Sequence, residues 1–447
     1  MTKICVNEKN VVGKIKAMHG VGQPPLLGIS TAKFSYLTEA NIPYSRLHDV
    51  GGWFGKNMFV DIPNIFRDFD ADENDPASYD FTFTDILIKG LIDAGCEPHY
   101  RLGVSIENFS YIKAYRIFPP KDYDKWARIC EHVIRHYNEG WADGFHFGIK
   151  YWVIWNEPDL HYIIEENCLW SGTKEQYYDL YRVASKHLNK CFGDSIKVGG
   201  YGSCGFYQIQ KTPHLNGVAF GNTQSLKNRE KRDGYFMDFF YEFIDIVCKE
   251  NLPFDFFSHH SYATVEDNII KQQFCEKYLE EKGLGDVEIH LDEWNTAATV
   301  EELGKSVACA TAVANMCGLQ NTKLKVACYY DAKIYGGAYG GLFNCLTKEP
   351  YCAYYGFKAF GKLYALGNQI ECKTDNELVF ANAATDGKTT AVLVSNIGED
   401  TEIELSANGE YSAYLIDETH TFAEIEMKDN CIELKQNQVL YLEKCEV

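Results

Sequence analysis

Basic residues are scarce beside acidic ones: 43 Lys and Arg against 63 Asp and Glu, for a formal charge of −20. Such a surface repels phosphate backbones and anionic headgroups, so neither nucleic acid nor a membrane is an expected partner. No apolar run approaches the roughly 20 residues of a membrane span. The N-terminal run Met1-Thr-Lys-Ile-Cys-Val-Asn-Glu8 lacks the apolar core of a secretory leader. The 16 cysteines are scattered, with no Cys-x-x-Cys pair. Without an export signal they read as free thiols, and the expected location is cytoplasmic. No Gly-x-Ser-x-Gly elbow occurs, and Gly199-Gly-Tyr-Gly202 lacks the lysine and serine of a phosphate loop. His132 and His136 lie one helical turn apart, but Val133 stands where a zincin needs glutamate. Adjacent His259 and His260 would point to opposite faces of a strand. No metal site is therefore expected. Internal repeats, low-complexity tracts and Pro/Ser linkers are absent too.

At 447 residues the chain exceeds one average domain and can bury a large core. Aromatics reach 14 %. They suit a carbohydrate site, because sugar C–H faces stack on rings, and they equally suit a large aromatic core. Short β-type runs alternate with helical patterns from about residue 26 to 331. The candidate strands are 26–30, 44–49, 97–103, 151–156, 196–200, 254–260, 287–293 and 325–330. Helical patterns fall at 83–94, 125–137, 175–190 and 236–249; in the third, Leu180, Tyr181, Ala184 and Leu188 share a face. Eight such units predict an α/β fold, a (β/α)8 TIM barrel, over residues 17–366, closed by a helix at 354–366. A Gly-rich loop at 335–341 precedes that helix. Residues 367–447 read as an all-β sandwich domain, with strands at 378–381, 390–395, 401–405, 411–416 and 439–442. The N-terminal segment 1–16 is a candidate extra strand of it.

Two segments carry chemistry. Trp152-Val-Ile-Trp-Asn-Glu-Pro-Asp159 and Ile289-His-Leu-Asp-Glu-Trp-Asn295 are apolar runs that end in a carboxylate and break into a loop. Pro158 stops the first strand and leaves Glu157 at a rim, with the Asn156 amide beside it. In the second, the two-residue period places Ile289, Leu291 and Glu293 on one face. In a barrel that face can point inward, where a carboxylate costs desolvation unless it is used or paired. Arg46 is an obvious partner, and an arginine beside a nucleophile also keeps it ionised. Two facing carboxylates, one protonated and one ionised, are what glycosidic bond cleavage requires. Polar and aromatic residues at other strand ends complete the ring. Arg46 and His48 share a face on the second strand, and Ser258, His260 and Tyr262 on the sixth. Trp294 and Tyr330 are candidate sugar contacts at the seventh and eighth.

These residues resemble glycoside hydrolase family 39, in the clan that carries catalytic glutamates on barrel strands four and seven. The resemblance rests on Tyr44-Ser-Arg-Leu-His-Asp49, Pro119-Pro-Lys-Asp-Tyr-Asp-Lys-Trp126, the Trp-Asn-Glu-Pro site and Val198-Gly-Gly200. It continues with His260-Ser-Tyr262, Asp292-Glu-Trp-Asn295, Gly340-Gly-Leu342 and Ala353-Tyr-Tyr-Gly-Phe-Lys358, in order from about residue 40 to 365. It implies Glu157 as acid/base and Glu293 as nucleophile of a retaining reaction without cofactor. Asn156, His260 and Tyr262 would line the sugar site, supported by Arg46 and His48. It further implies short oligosaccharides or glycosides as substrates, with β-xylosides the first expectation. Asp-Glu-Trp-Asn is also similar to the nucleophile strand of family 51 arabinofuranosidases. A catalytically silent sugar-binding barrel is the alternative of a different class. Ala327-Cys-Tyr-Tyr-Asp331 lacks the tryptophan that family 39 members often carry near that strand end, which leaves the sugar open. Anomeric configuration, exo or endo action, and a homo-oligomeric assembly stay open as well.

Overall fold

In the computed structural model, residues 1–28, 30–48, 50, 59–105, 116–212, 226–297, 299–334 and 339–445 are described. The chain opens with β1 (Thr2–Lys14), then enters a closed, all-parallel barrel. Its strands are β2 (Ala17–Gly22), β3 (Tyr44–Leu47), β4 (Glu97–Leu102), β5 (Tyr151–Ile154), β6 (Lys197–Ser203), β7 (Phe256–Tyr262), β8 (Glu288–Asn295) and β9 (Val326–Tyr330). Strand β9 returns to pair with β2 and closes the ring. Strands sandwiched between an inner core and an outer layer of helices are buried on both faces, as parallel strands must be. Helix starts follow local side-chain chemistry. Asp122 accepts from the Lys125 amide at 2.9 Å to begin Tyr123–Asn138. Thr173 and Gln176 form a capping box before Lys174–Phe192. No described helix is long and apolar enough to cross a membrane.

The first barrel strand lies at Ala17–Gly22, not at residues 26–30. That later stretch follows Pro24-Pro25 and makes only an isolated bridge between Leu27 and Ser30. Two glycines in six residues hide the true strand, since glycine weakens a strand pattern. Close packing demands one of them. A Cβ on Gly20 would stand 2.7 Å from the Ala327 carbonyl oxygen of β9. The candidate strand positions Ile29 and Asp49, and the loop positions Tyr335 to Ala338, lie outside the described residues.

After the last helix of the barrel, Cys352–Leu366, come β10 (Asn368–Thr374), β11 (Val379–Thr385), β12 (Thr389–Asn396), β13 (Thr401–Ser406), β14 (Ser412–Ile416), β15 (Thr421–Ile425), β16 (Cys431–Leu434) and β17 (Gln438–Cys445). With β1 they form one nine-stranded sheet in the order β15-β14-β17-β12-β11-β10-β1-β13-β16. Ile4, Ile370, Val392, Leu405, Leu415 and Leu442 meet in one buried cluster, so the sheet curls over its own face. Its other face covers helices Ser306–Gln320 and Cys352–Leu366. Ser395 Oγ donates to the Ala310 carbonyl at 2.7 Å, and Asn382 Nδ2 to that of Cys317 at 3.1 Å.

Candidate active site

Both singled-out glutamates stand at the C-terminal mouth of the barrel, at the ends of β5 and β8. The β5 end is built from strained backbone. Trp155 (φ +75°) and Glu157 (φ +43°) both occupy the left-handed region, at about 1–3 kcal/mol each. Trp155 turns outward against Trp126 and Trp170, while Asn156 is fully buried and faces the interior. The Glu157 amide donates to the Gly202 carbonyl at 2.9 Å, which ties the loop to β6. Gly202 itself adopts φ +61°, and a Cβ there would come within 3.1–3.2 Å of Asn156, Arg46 and His260.

The β8 end departs from simple alternation. Ile289 and Leu291 belong to the core outside the ring. His290 instead stacks on Phe256 inside it, with ring centroids 4.4 Å apart. Strict two-residue periodicity would therefore send Glu293 outward. A register irregularity intervenes: His259 pairs with Leu291 but His260 with Glu293, so Asp292 is skipped. This bulge lets consecutive residues Asp292 and Glu293 both reach the interior. The expected shared face of Ile289, Leu291 and Glu293 is thus corrected, although Glu293 does face the site.

Arg46 is the hub. Its Nη1 donates to Glu293 Oε1 at 2.5 Å, its Nε pairs with Asp292 Oδ2 at 2.8 Å, and its Nη2 donates to Asn156 Oδ1. His48 lies 3.3 Å from Asn156 Nδ2 and 3.8 Å from Glu293 Oε1, both through Nε2. Tyr262 donates its hydroxyl to Glu293 Oε2 at 2.7 Å. His260 Nδ1 is 2.6 Å from Glu157 Oε1 and 3.4 Å from Glu293 Oε2; its Nε2 is 3.4 Å from Asp292 Oδ1. One carboxylate oxygen of Glu157 and one of Glu293 lie within 4.8 Å of each other. Glu157 keeps 17 % of its side chain exposed against 6 % for Glu293, so the mouth opens on the Glu157 side.

The charges sort themselves. Burial works against ionised Glu293, but His260, Arg46, His48 and the Tyr262 hydroxyl outweigh it and hold the carboxyl below the usual glutamate range. Asp292 is held low in the same way, chiefly by Arg46. Burial also opposes a charge on His260, yet Glu293 and Glu157 push its pKa up to about 10. Glu157, His260 and Glu293 have the spacing of a metal triad. Both Glu293 oxygens are already taken, by the Arg46 guanidinium and the Tyr262 hydroxyl, and the arginine's charge disfavours a cation there.

Tyr330 accepts from Gln23 Nε2 at 2.6 Å. Its ring lies 5.0 Å from that of Tyr339 and 6.3 Å from that of Tyr262, making an aromatic wall beside Glu293. Trp294 is not part of the site. It points the opposite way from Glu293, with its ring 5.1 Å from Tyr329 and 6.2 Å from Phe357 of the last barrel helix. Four further residues that the sequence pattern does not single out contribute to the site or its support: Asp292, Asp159, Gln23 and Tyr339. Asp159 is fully buried and accepts from Ser203 Oγ at 3.0 Å and from the Cys204 amide at 3.2 Å. Burial, and then the charge of Glu157, pushes it up to about 7. Its place two residues after Glu157 was the one available signal.

A family model described as glycosyl hydrolases family 39 matches residues 30–314. A β-xylosidase of Caldicellulosiruptor saccharolyticus is 28 % identical over 170 residues, which is 36 % of this chain and 31 % of that protein. A β-xylosidase of Geobacillus stearothermophilus is 24 % identical over 250 residues, 54 % of this chain and 42 % of that protein. The matches thus span less than half the length of either relative. Among solved structures, a glucosidase from Croceicoccus marinus has the same fold, with a TM-score of 0.76 at 18 % identity over 100 % of this chain and 99 % of that one. A family 39 β-xylosidase from Caulobacter crescentus gives 0.68 at 15 % identity, over 99 % of each chain.

Proposed function

The chain belongs to glycosyl hydrolase family 39, and on that footing we propose that it is a retaining glycoside hydrolase acting on short β-xylosides or related glycosides. The observation that supports the retaining assignment is that one oxygen of Glu157 and one of Glu293 lie within 4.8 Å of each other, both beside His260 Nδ1. A gap of about 5–5.5 Å suits double displacement, whereas inverting enzymes need about 6.5–9.5 Å to admit a water.

In this reading Glu293 attacks the anomeric carbon, and Glu157 gives its proton to the leaving oxygen. Glu157 then takes a proton from the water that cleaves the glycosyl-enzyme. The surroundings favour this division of labour. Arg46, His260 and Tyr262 keep Glu293 ionised, while Glu157 stands on the more exposed side of the pair, with room for a leaving group and a water. Asn156, held by Arg46, binds a sugar hydroxyl in this reading. The cluster of Tyr262, Tyr330 and Tyr339 beside Glu293 would supply the aromatic contacts of the sugar. The Caldicellulosiruptor and Geobacillus relatives are each named as a β-xylosidase, which makes xylose the first donor to try.

The test is a panel of nitrophenyl glycosides: β-xyloside, α-L-arabinoside, β-galactoside, β-glucoside and β-glucuronide. Turnover of the β-xyloside that vanishes in Glu293→Ala supports the proposal. A blank panel from folded protein that still binds xylo-oligosaccharide would replace it with a binding role.

A further inference from the structure

On the outside of the barrel, helices Tyr123–Asn138 and Lys174–Phe192 pack side by side. On their seam Glu131 of the first helix meets His187 and Cys191 of the second. His187 and Cys191 are four residues apart, so they share one helix face. Their donor atoms and one from Glu131 all lie within 4.8 Å of one another. His187 Nε2 is 2.6 Å from Glu131 Oε2 and 3.7 Å from Cys191 Sγ.

Thiolate, imidazole and carboxylate are the three donor types zinc takes from proteins. Bonds of about 2.0–2.3 Å in a tetrahedron put neighbouring donors about 3.3–3.8 Å apart. The Cys191–His187 edge already has that length. The His187–Glu131 edge is a hydrogen bond, and replacing its proton with a metal requires it to lengthen by only about 1 Å. All three residues are half-buried, so one side of the cluster faces solvent and can supply a water. Arg135 Nε donates to the other Glu131 oxygen at 2.8 Å and keeps Oε2 turned toward His187. Such outer partners orient metal ligands. Arg135 is itself shared with Glu139, which spares the cluster part of its charge.

We propose that Glu131, His187 and Cys191 form a binding site for Zn2+ or a similar borderline-soft divalent cation, with water as fourth ligand. Bound there, the ion clamps two helices that belong to neighbouring barrel units. Ligation by a thiolate expels the Cys191 proton, so binding strengthens as pH rises. Nothing in this site depends on the carboxylate pair at the barrel mouth.

The experiment is titration of the reduced full-length chain with Co2+, read by thiolate-to-cobalt charge-transfer absorption and reversed by Zn2+. The expected result is one equivalent bound, no band in Cys191→Ser, and at least tenfold weaker binding in His187→Ala and in Glu131→Gln. Circular dichroism checks that each variant is folded. Zn2+ should also raise the melting temperature of the unaltered protein and not that of Cys191→Ser. A wild-type chain without the band, or a band that survives in Cys191→Ser, overturns the proposal.

Discussion

His260 and Glu157 meet across the barrel mouth, Nδ1 to Oε1, at 2.6 Å, and the same ring nitrogen lies 3.4 Å from Glu293 Oε2. One imidazole therefore addresses both carboxylates. Its charge is sustained by the carboxylates themselves, which push its pKa up to about 10 against the cost of burial. The geometry thus links the two glutamates through one ring.

Glu293→Ala is expected to remove hydrolysis altogether. Glu157→Ala should cost about 10²–10⁴-fold on substrates with poor leaving groups. It should retain turnover of activated aryl glycosides, which need little protonation. Comparing kcat/KM across a leaving-group series checks this, and an equal loss on every substrate would reassign the acid/base.

The anomer released first should keep the configuration of the substrate. Proton NMR during the first minutes of hydrolysis reads it directly, before mutarotation mixes the forms. Initial appearance of the opposite anomer would overturn the retaining assignment.

Tyr262→Phe deletes the 2.7 Å hydrogen bond to Glu293 Oε2. That bond favours the ionised carboxylate, so its loss raises the Glu293 pKa, and the acid limb of the kcat/KM profile moves to higher pH. A reduction of about tenfold at the optimum accompanies it, the usual worth of a hydrogen bond to a charged group. An unmoved acid limb would show that Tyr262 does not govern the ionisation of the nucleophile.

Asp159 gives a stability prediction of a less familiar sign. Its folded pKa is raised to about 7 from an ordinary 3.8. Between those values the folded state holds more protons than the unfolded one, so this group's contribution to stability falls as pH rises from about 4 to about 7, at no more than about 1.4 kcal/mol per pH unit. Asp159→Asn keeps an acceptor for Ser203 and Cys204 and removes the titration. Urea unfolding at several pH values should show the variant gaining on the unaltered chain across that window. Parallel curves would mean that Asp159 does not titrate there.

Much of the fold was legible because parallel strands leave a local record: short apolar runs bounded by breaks, alternating with helical periodicity. Seven of the eight barrel strands overlap their expected positions for this reason. Ala17–Gly22 escaped because its glycines serve contacts with β9 and β3, and those contacts are not local. The strands Asn368–Thr374, Thr421–Ile425 and Cys431–Leu434 escaped because their burial alternates irregularly. Candidate residues on regular strands landed where periodicity placed them. Arg46 and His48 share a face, as do His260 and Tyr262. On β8 the bulge breaks that period: it turns Glu293 inward although Ile289 and Leu291 face outward, and leaves Trp294 pointing away from the site.

By itself, then, the sequence determined which groups stand at the strand ends: two glutamates, an arginine, histidines and tyrosines, each released by a local break in an apolar run. Tertiary structure alone decided their separations, the inward turn of both Asp292 and Glu293, and the direction of each ionisation. The reason is physical. Which residue ends a strand depends on neighbours along the chain. Distances and electrostatic fields inside a barrel depend on eight strands closing around the same few ångströms, with charges drawn from residues as far apart as Arg46 and Glu293.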